Sequence, residues 1–136
     1  MHPATEQRIR DVTITLLRIV TGLLFWQHGA QKLFGWLGGQ PVGQLASQFG
    51  LAGILEFFGG ILLILGLFTR PVAFLLAGEM AVAYFQAHAP RSLFPIRNGG
   101  ESVVLFCFVF LHLFAVGAGP FSLDALLRGR RGEHRA

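Results

Sequence analysis

Between Leu51 and His88 the chain has one short polar break, Thr69-Arg70-Pro71, separating two apolar runs. Each run is long enough to cross about 30 Å of hydrocarbon at about 1.5 Å per helical residue. Runs joined by so little polar chain predict a tight helical hairpin. Thr69 is placed to cap the second helix, and Pro71 falls in its first turn, where a missing N–H is harmless. Two further apolar runs flank this hairpin, giving expected spans of about 12–34, 51–69, 71–88 and 101–117 within one domain covering 1–136. Gly119-Pro120 stops the last of them.

Composition agrees with that reading: the 136 residues are 53% hydrophobic and 13% charged, with a mean hydropathy of +0.59. These values point to an integral membrane chain rather than an ordinary soluble domain. The sequence pI near 10.6 raises nucleic-acid binding. However, the arginines lie at the termini and between apolar runs rather than along one face, so anionic lipid headgroups are the expected counter-charge and nucleic acid is not an expected partner. The single cysteine, Cys107, lies in an apolar run and reads as a small buried hydrophobe. One thiol allows neither an intrachain disulfide nor a thiolate metal site, and no metal site is expected. The first run is too long, and too interrupted by Arg18, for a cleaved secretory signal, so it is expected to be retained as an anchor.

The fold expected is therefore all-α, an integral membrane four-helix bundle with short interfacial helices after span one and at the C-terminus. The first interfacial helix is expected from Val42, Leu45, Ala46 and Phe49 at helical spacing. The second is expected after Ser122, a candidate cap, with Leu123, Leu126 and Leu127 on one side and Arg128, Arg130 and Arg131 near the headgroups. Residues 1–11 are polar and expected in water or at the headgroups, and 89–100 are expected to form a loop. Four spans place both termini on one side. That side and the hairpin loop hold Arg8, Arg10, Arg70, Arg128, Arg130, Arg131 and Arg135, against Lys32, Arg91 and Arg97 opposite. The excess predicts a multi-pass membrane protein with cytoplasmic termini.

Each span carries one polar stripe. On the first, Arg18, Thr21, Phe25, His28 and Lys32 fall within about 80° of arc. Glu56 shares a face with Gly53, Gly59 and Gly60; Glu79 lies in line with Ala83 and Gln86; Glu101, Leu105, Phe108 and His112 line up on the fourth. A charge at the bilayer centre costs about 2.5–3.5 kcal/mol on insertion scales, which predicts that all four stripes turn inward as an ionisable axis. By depth the axis divides. An outer group of His28, Lys32, Glu56 and Glu101, with His88, Arg97 and Asn98 nearby, is the candidate substrate site. A deeper group of Arg18, Glu79 and His112 is a candidate buried polar network. The expected pairs are Arg18 with Glu79, and Lys32 with Glu56 or Glu101. Interhelical polar pairs also serve simply to fix register, so the deeper group has a purely structural reading beside the functional one.

Several local patterns together resemble the DoxX family of small four-span bacterial membrane proteins. They are R-x-x-x-G-x-L-F at Arg18 to Phe25, H-G-x-x-K-L-F-G at His28 to Gly35, E-x-x-G-G-x-x-L-x-x-G at Glu56 to Gly66, N-G-G-E at Asn98 to Glu101 and G-P-x-S-L-D at Gly119 to Asp124. The resemblance implies a component of a redox-linked membrane complex, as in the small membrane subunit associated with thiosulfate:quinone oxidoreductase, with other protein subunits and the lipid bilayer as partners. It implies a quinone or small sulfur compound as ligand, with no covalently bound cofactor. In that picture His28 or Glu56 exchanges protons while Lys32 stabilises a quinol anion or an oxyanion. The competing expectations are a small ion or solute conduit built on the whole polar axis, and a purely structural anchor for a partner protein.

Overall fold

The computed structural model describes residues 1–133 as helices and connecting turns. α1 (Pro3–Phe34) is followed by α2 (Gln48–Leu65), α3 (Thr69–Ala83) with a π-helical extension (Tyr84–His88), the short α4 (Pro95–Asn98), α5 (Glu101–Val116) and α6 (Leu123–Glu133). We call the end holding the N-terminus and α6 the terminal end, and the end holding the α1–α2 and α3–α5 connections the distal end.

Local signals set the element boundaries, in places against expectation. The polar N-terminus is helical, because the His2 side chain accepts from the Ala4 N–H at 3.3 Å and Pro3 occupies the first turn. α1 is therefore 32 residues, about 48 Å long, and extends beyond the apolar run. It stops at Gly35, left-handed with φ 67°, whose N–H returns to the Gln31 carbonyl. The surface helix expected around Val42 to Phe49 does not form: residues 35–47 are turns and bends. Pro41 and Gly43 interrupt the pattern, and Ser47 Oγ accepts from the Gly50 N–H at 3.1 Å, so that Phe49 belongs to the first turn of α2. The C-terminal helix α6 does form, capped by Ser122, whose Oγ accepts from Ala125 N–H at 3.1 Å.

The hairpin after α2 is as tight as its sequence requires, but Thr69 is not the cap. α2 ends at Gly66 (φ 67°), and Phe68, itself at φ 51°, precedes the first turn of α3 with no side-chain cap of its own. The cap comes from Asp124 of α6.

α1 lies along α2, and α3 along α5. The α1–α2 contact depends on glycine: a Cβ at Gly29 would fall on the backbone of Phe57 and lie 2.8 Å from the Gly53 carbonyl oxygen. Leu76 of α3 packs on Gly59 of α2. Phe25 of α1 meets Phe106 and Phe110 of α5 edge-on at 5.4 and 4.8 Å, which closes the four long helices around a core that also holds Leu63, Ala73, Ala77 and Leu113. Cys107 is partly buried there, with Sγ 3.5 Å from the Ala77 carbonyl.

That core is small, and the exterior is strongly apolar. Leu16, Leu23, Phe58, Phe74, Leu105 and Phe108 are all exposed around the middle of the helices. One helix, Gln48–Leu65, is long and apolar enough by itself to cross a membrane, and Glu101–Val116 is a shorter apolar helix. The fourth stripe is rotated relative to expectation. Glu101, Leu105, Phe108 and His112 do align, but outward, with Leu105 at 67% and Phe108 at 65% exposure. α5 is apolar almost all round, so its rotation is set by Phe106 and Phe110 meeting Phe25, not by its few polar residues.

Candidate functional site

The polar residues separate into two unconnected groups, one at each end of the molecule. At the terminal end most of the buried ones hold helix ends together, with Arg18 Nε and Thr69 Oγ1 left without a hydrogen-bond partner among the described residues. Arg18, 1% exposed, donates from Nη1 to the Leu63 carbonyl at 3.4 Å and from Nη2 to the Phe121 carbonyl at 2.8 Å. Arg70 Nη1 donates to the carbonyls of Phe114 and Ala115 at 3.2 and 2.8 Å. Both cations thus meet carbonyl-rich helix C-termini, of α2 and α5 respectively. Asp124 does the converse. Its carboxylate accepts from the Phe68 and Thr69 N–H groups at 2.8 and 3.0 Å, capping α3 from α6. The Asp124 N–H also donates to the Gly66 carbonyl at 2.9 Å, and Ser122 Oγ donates to the Gly119 carbonyl at 2.8 Å. The Gly119 to Asp124 segment is therefore a clasp for the α2–α3 hairpin.

The expected Arg18–Glu79 pair does not form. Arg18 lies at the Leu63 level, beside the start of α3, whereas Glu79 is ten residues further along α3, about 15 Å away along the axis. His112 is not part of an inner network either. It is exposed, in a groove between α1 and α5 with Gln7, Arg10, Asp11 and Val116.

At the distal end the polar groups surround a space. A cavity of about 870 Å³ lies between the four long helices. α1 gives it Phe25, His28 and Lys32; α2 gives Gln48, Leu55 and Glu56; α3 and its extension give Leu75, Gly78, Glu79, Gln86 and His88; α5 gives Ser102, Val103 and Phe106. Lys32 Nζ is 2.6 Å from Glu56 Oε1 and lies over the Phe49 ring, 4.8 Å from its centroid. Glu56 is 3% exposed. The small face of α2 brings these two together, since Gly53 admits Lys32 Cβ and Leu33 against its backbone. Glu79 shares the cavity wall with Glu56.

Donors and acceptors do not balance in this cavity. Glu56 Oε2 and both Glu79 oxygens are buried and have no hydrogen-bond donor among the described residues. Buried polar atoms are ordinarily paired, and a carboxylate without donors loses several kcal/mol relative to water. The three oxygens belong to residues of two helices, α2 and α3, that both line the cavity.

Of the other sequence candidates, Glu101 is exposed in the first turn of α5 and does not line the cavity, and Arg97 is also exposed. Lys32 pairs with Glu56 rather than with Glu101. Asn98, 1% exposed, is a structural knot. Its Nδ2 donates to Tyr84 Oη at 3.1 Å and to the Ser92 carbonyl at 2.7 Å, and its Oδ1 accepts from Gly100 N–H at 2.8 Å. The same loop holds His88 in place, with Nδ1 3.0 Å from the Asn98 carbonyl. Gln48, not among the sequence candidates, donates from Nε2 to Gln86 Oε1 and ties α2 to the extension of α3 at the distal rim. The structural roles of Asp124 and Arg70 are likewise additions to that set. For Asp124 the available signal was an acidic residue placed to reach a neighbouring helix N-terminus.

Comparison with known proteins adds the lineage. The DoxX family profile matches residues 13–89, which include Lys32, Glu56 and Glu79. An uncharacterised protein of Haemophilus influenzae is 40% identical over 87% of this chain and 92% of its own length. "Inner membrane protein YqjF" of Escherichia coli is 29% identical over 89% of this chain and 96% of its own. "Putative oxidoreductase CatD" of Bacillus subtilis is 29% identical over 84% of this chain and 86% of its own. No solved structure gives a significant match. With a family profile spanning more than half its residues, the chain belongs to the DoxX family.

Proposed function

We propose that the chain is a multi-pass protein of the bacterial inner membrane and the membrane subunit of a redox-linked complex, taking a quinone or small sulfur substrate in the distal cavity. The apolar exterior of α1, α2, α3 and α5 supports four spans, and the arginines of the terminal end support cytoplasmic termini. The names of the Escherichia coli and Bacillus subtilis relatives agree with the inner membrane and with redox chemistry. On this topology the cavity opens in the outer half of the bilayer.

The observation that carries the reading is the set of unpaired Glu56 and Glu79 oxygens around a cavity that also presents Lys32 and His28. A register-fixing ion pair needs only Lys32 and one Glu56 oxygen. The remaining groups suit a ligand that exchanges protons. Reducing a quinone to a quinol takes two electrons and two protons. In this chain Lys32 and His28 are positioned to donate to the carbonyl oxygens and to pass on the two protons, drawn from water at the outer surface, while Glu79 and Glu56 accept hydrogen bonds from the hydroxyls that form. The electrons come from a partner subunit that oxidises a sulfur compound.

A conduit needs polar groups continuing to the terminal end. There Arg18 is tied to two backbone carbonyls and His112 faces outward, so no observation favours that reading.

Purification from native membranes in mild detergent, with identification of copurifying proteins and quinones, tests the assignment. In the isolated complex, His28→Ala and Glu79→Gln should each lower partner-dependent quinone reduction by about a hundredfold while the chain still inserts. Normal turnover in both variants would leave the structural-anchor reading in its place.

A further inference from the structure

The two flanks of the cavity differ in polarity. Where α1 faces α5, the rim carries His28 and Ser102. Where α2 faces α3, it carries Leu51, Leu55, Leu75, Gly78 and Val82, all exposed and none with a polar side chain. Nearer the terminal end α2 and α3 close on one another, with Leu76 packed on Gly59, and at the rim Gln48 is bonded to Gln86. Between these two ties the exposed residues of both helices line the cavity, which marks an opening between them. Gly78 lies on the lip of the gap, where an added Cβ would meet no heavy atom within 4 Å. An apolar gap of this kind suits entry from lipid better than entry from water.

Inside the gap the chemistry reverses. Glu56 Oε2, Glu79 Oε1 and Glu79 Oε2 are buried acceptors without donors among the described residues, and the nearby ammonium, on Lys32, is already engaged with Glu56 Oε1. While both carboxyls are ionised, an occupant that brings only acceptors leaves those oxygens unpaired. One that brings N–H or O–H groups satisfies them.

We propose that the cavity is loaded sideways from the bilayer, through the gap between α2 and α3 at Gly78, by an amphiphile whose head group donates hydrogen bonds to Glu56 and Glu79. The apolar body of the ligand lies between Leu55 and Leu75, and its head group lies beside Lys32. Hydroxyl and ammonium head groups share this donor chemistry. The inference rests on the functional reading above only in placing α2 and α3 in lipid.

The test uses the full chain in phosphatidylcholine nanodiscs, whose headgroups carry no N–H donor. Binding is measured for two matched pairs: an alkyl hydroquinone against its oxidised quinone, and dodecylamine against dodecyltrimethylammonium. The donor-bearing member of at least one pair should bind about tenfold tighter, and Glu79→Leu should abolish that preference. The preferred pair identifies whether the head group is a hydroxyl or an ammonium. Equal binding within both pairs overturns the donor assignment, as does a preference that survives Glu79→Leu. For the route, Gly78→Leu and Val82→Phe, on the same lip, should each slow loading from the bilayer by about tenfold without lowering thermal stability. An unchanged loading rate in both overturns lateral entry. Absent donor preference alongside intact partner-dependent turnover rejects this inference alone. Donor binding without any redox partner rejects the functional reading alone.

Discussion

Removing the Lys32 ammonium should destabilise the protein more than removing the whole Lys32–Glu56 pair. Lys32 Nζ is 2.6 Å from Glu56 Oε1, with side-chain exposures of 21% and 4%. The other Glu56 oxygen has no donor among the described residues, and Glu79 offers a second carboxyl in the same wall. In Lys32→Met the Glu56 carboxylate therefore loses its partner without gaining a hydration shell. Breaking one side of a buried pair costs about 3–5 kcal/mol, and the partial exposure of Lys32 places this case near about 3 kcal/mol. The double variant Lys32→Met with Glu56→Gln removes both charges and should cost about 1 kcal/mol, about 2 kcal/mol less than Lys32→Met alone. Trp26 and Trp36, which pack on Phe57 with ring centroids 5.9 and 6.4 Å from its own, report on this region. Unfolding by SDS titration in mixed micelles, followed by their fluorescence, measures each variant. A loss below about 0.5 kcal/mol in Lys32→Met, or a double variant costing the sum of the singles, would refute a buried, mutually dependent pair.

Three further outcomes follow from the same geometry and are read by the same unfolding assay. Asp124→Ala deletes two hydrogen bonds to the start of α3 and should cost about 2 kcal/mol, while Asp124→Asn keeps one acceptor and should cost about half of that. Gly29→Ala drives a methyl into the Phe57 backbone and should cost about 3 kcal/mol, whereas Gly78→Ala meets open space and should be neutral or stabilising by about 0.5–1 kcal/mol. His112→Ala, at an exposed position, should change stability by less than about 0.5 kcal/mol.

Much of the helical framework was legible because apolar length and breaker residues act locally. Gly35, Gly66 and Gly117 end helices where the sequence turns polar or small, and Ser122 caps α6 as read. The meeting of Lys32 and Glu56 was also legible, since both lie on polar faces at matching depth in neighbouring helices. The failures share one cause. Rotation and cap choice depend on what the partner helix presents, which periodicity within a single helix does not encode. α5 carries apolar residues on every side, so its polar stripe could not fix which face turned inward, and Phe25 decided the matter from α1. Thr69 had the chemistry of a cap but was displaced by Asp124, 55 residues away. The segment 42–49 had helical spacing, yet Ser47 began α2 within it and left the preceding residues as turns.

Arg18 distinguishes a structural cation from a functional one, and the distinction can be measured. As part of an ionisable axis, Arg18 would act through its charge, and Arg18→Lys would be mild. In the clasp it acts through shape: two separate nitrogens of one planar group reach the Leu63 and Phe121 carbonyls on different segments of the chain. A lysine ammonium keeps the charge but cannot span both acceptors in that fork. Arg18→Lys should therefore cost about 1–2 kcal/mol and Arg18→Met about 3 kcal/mol, because the latter also leaves buried carbonyls unpaired. Neither should alter binding of a donor amphiphile in the distal cavity, since Arg18 does not line it. A weakened ligand with unchanged unfolding in Arg18→Lys would mean that the two ends are electrically coupled and that the separation of clasp from cavity is wrong.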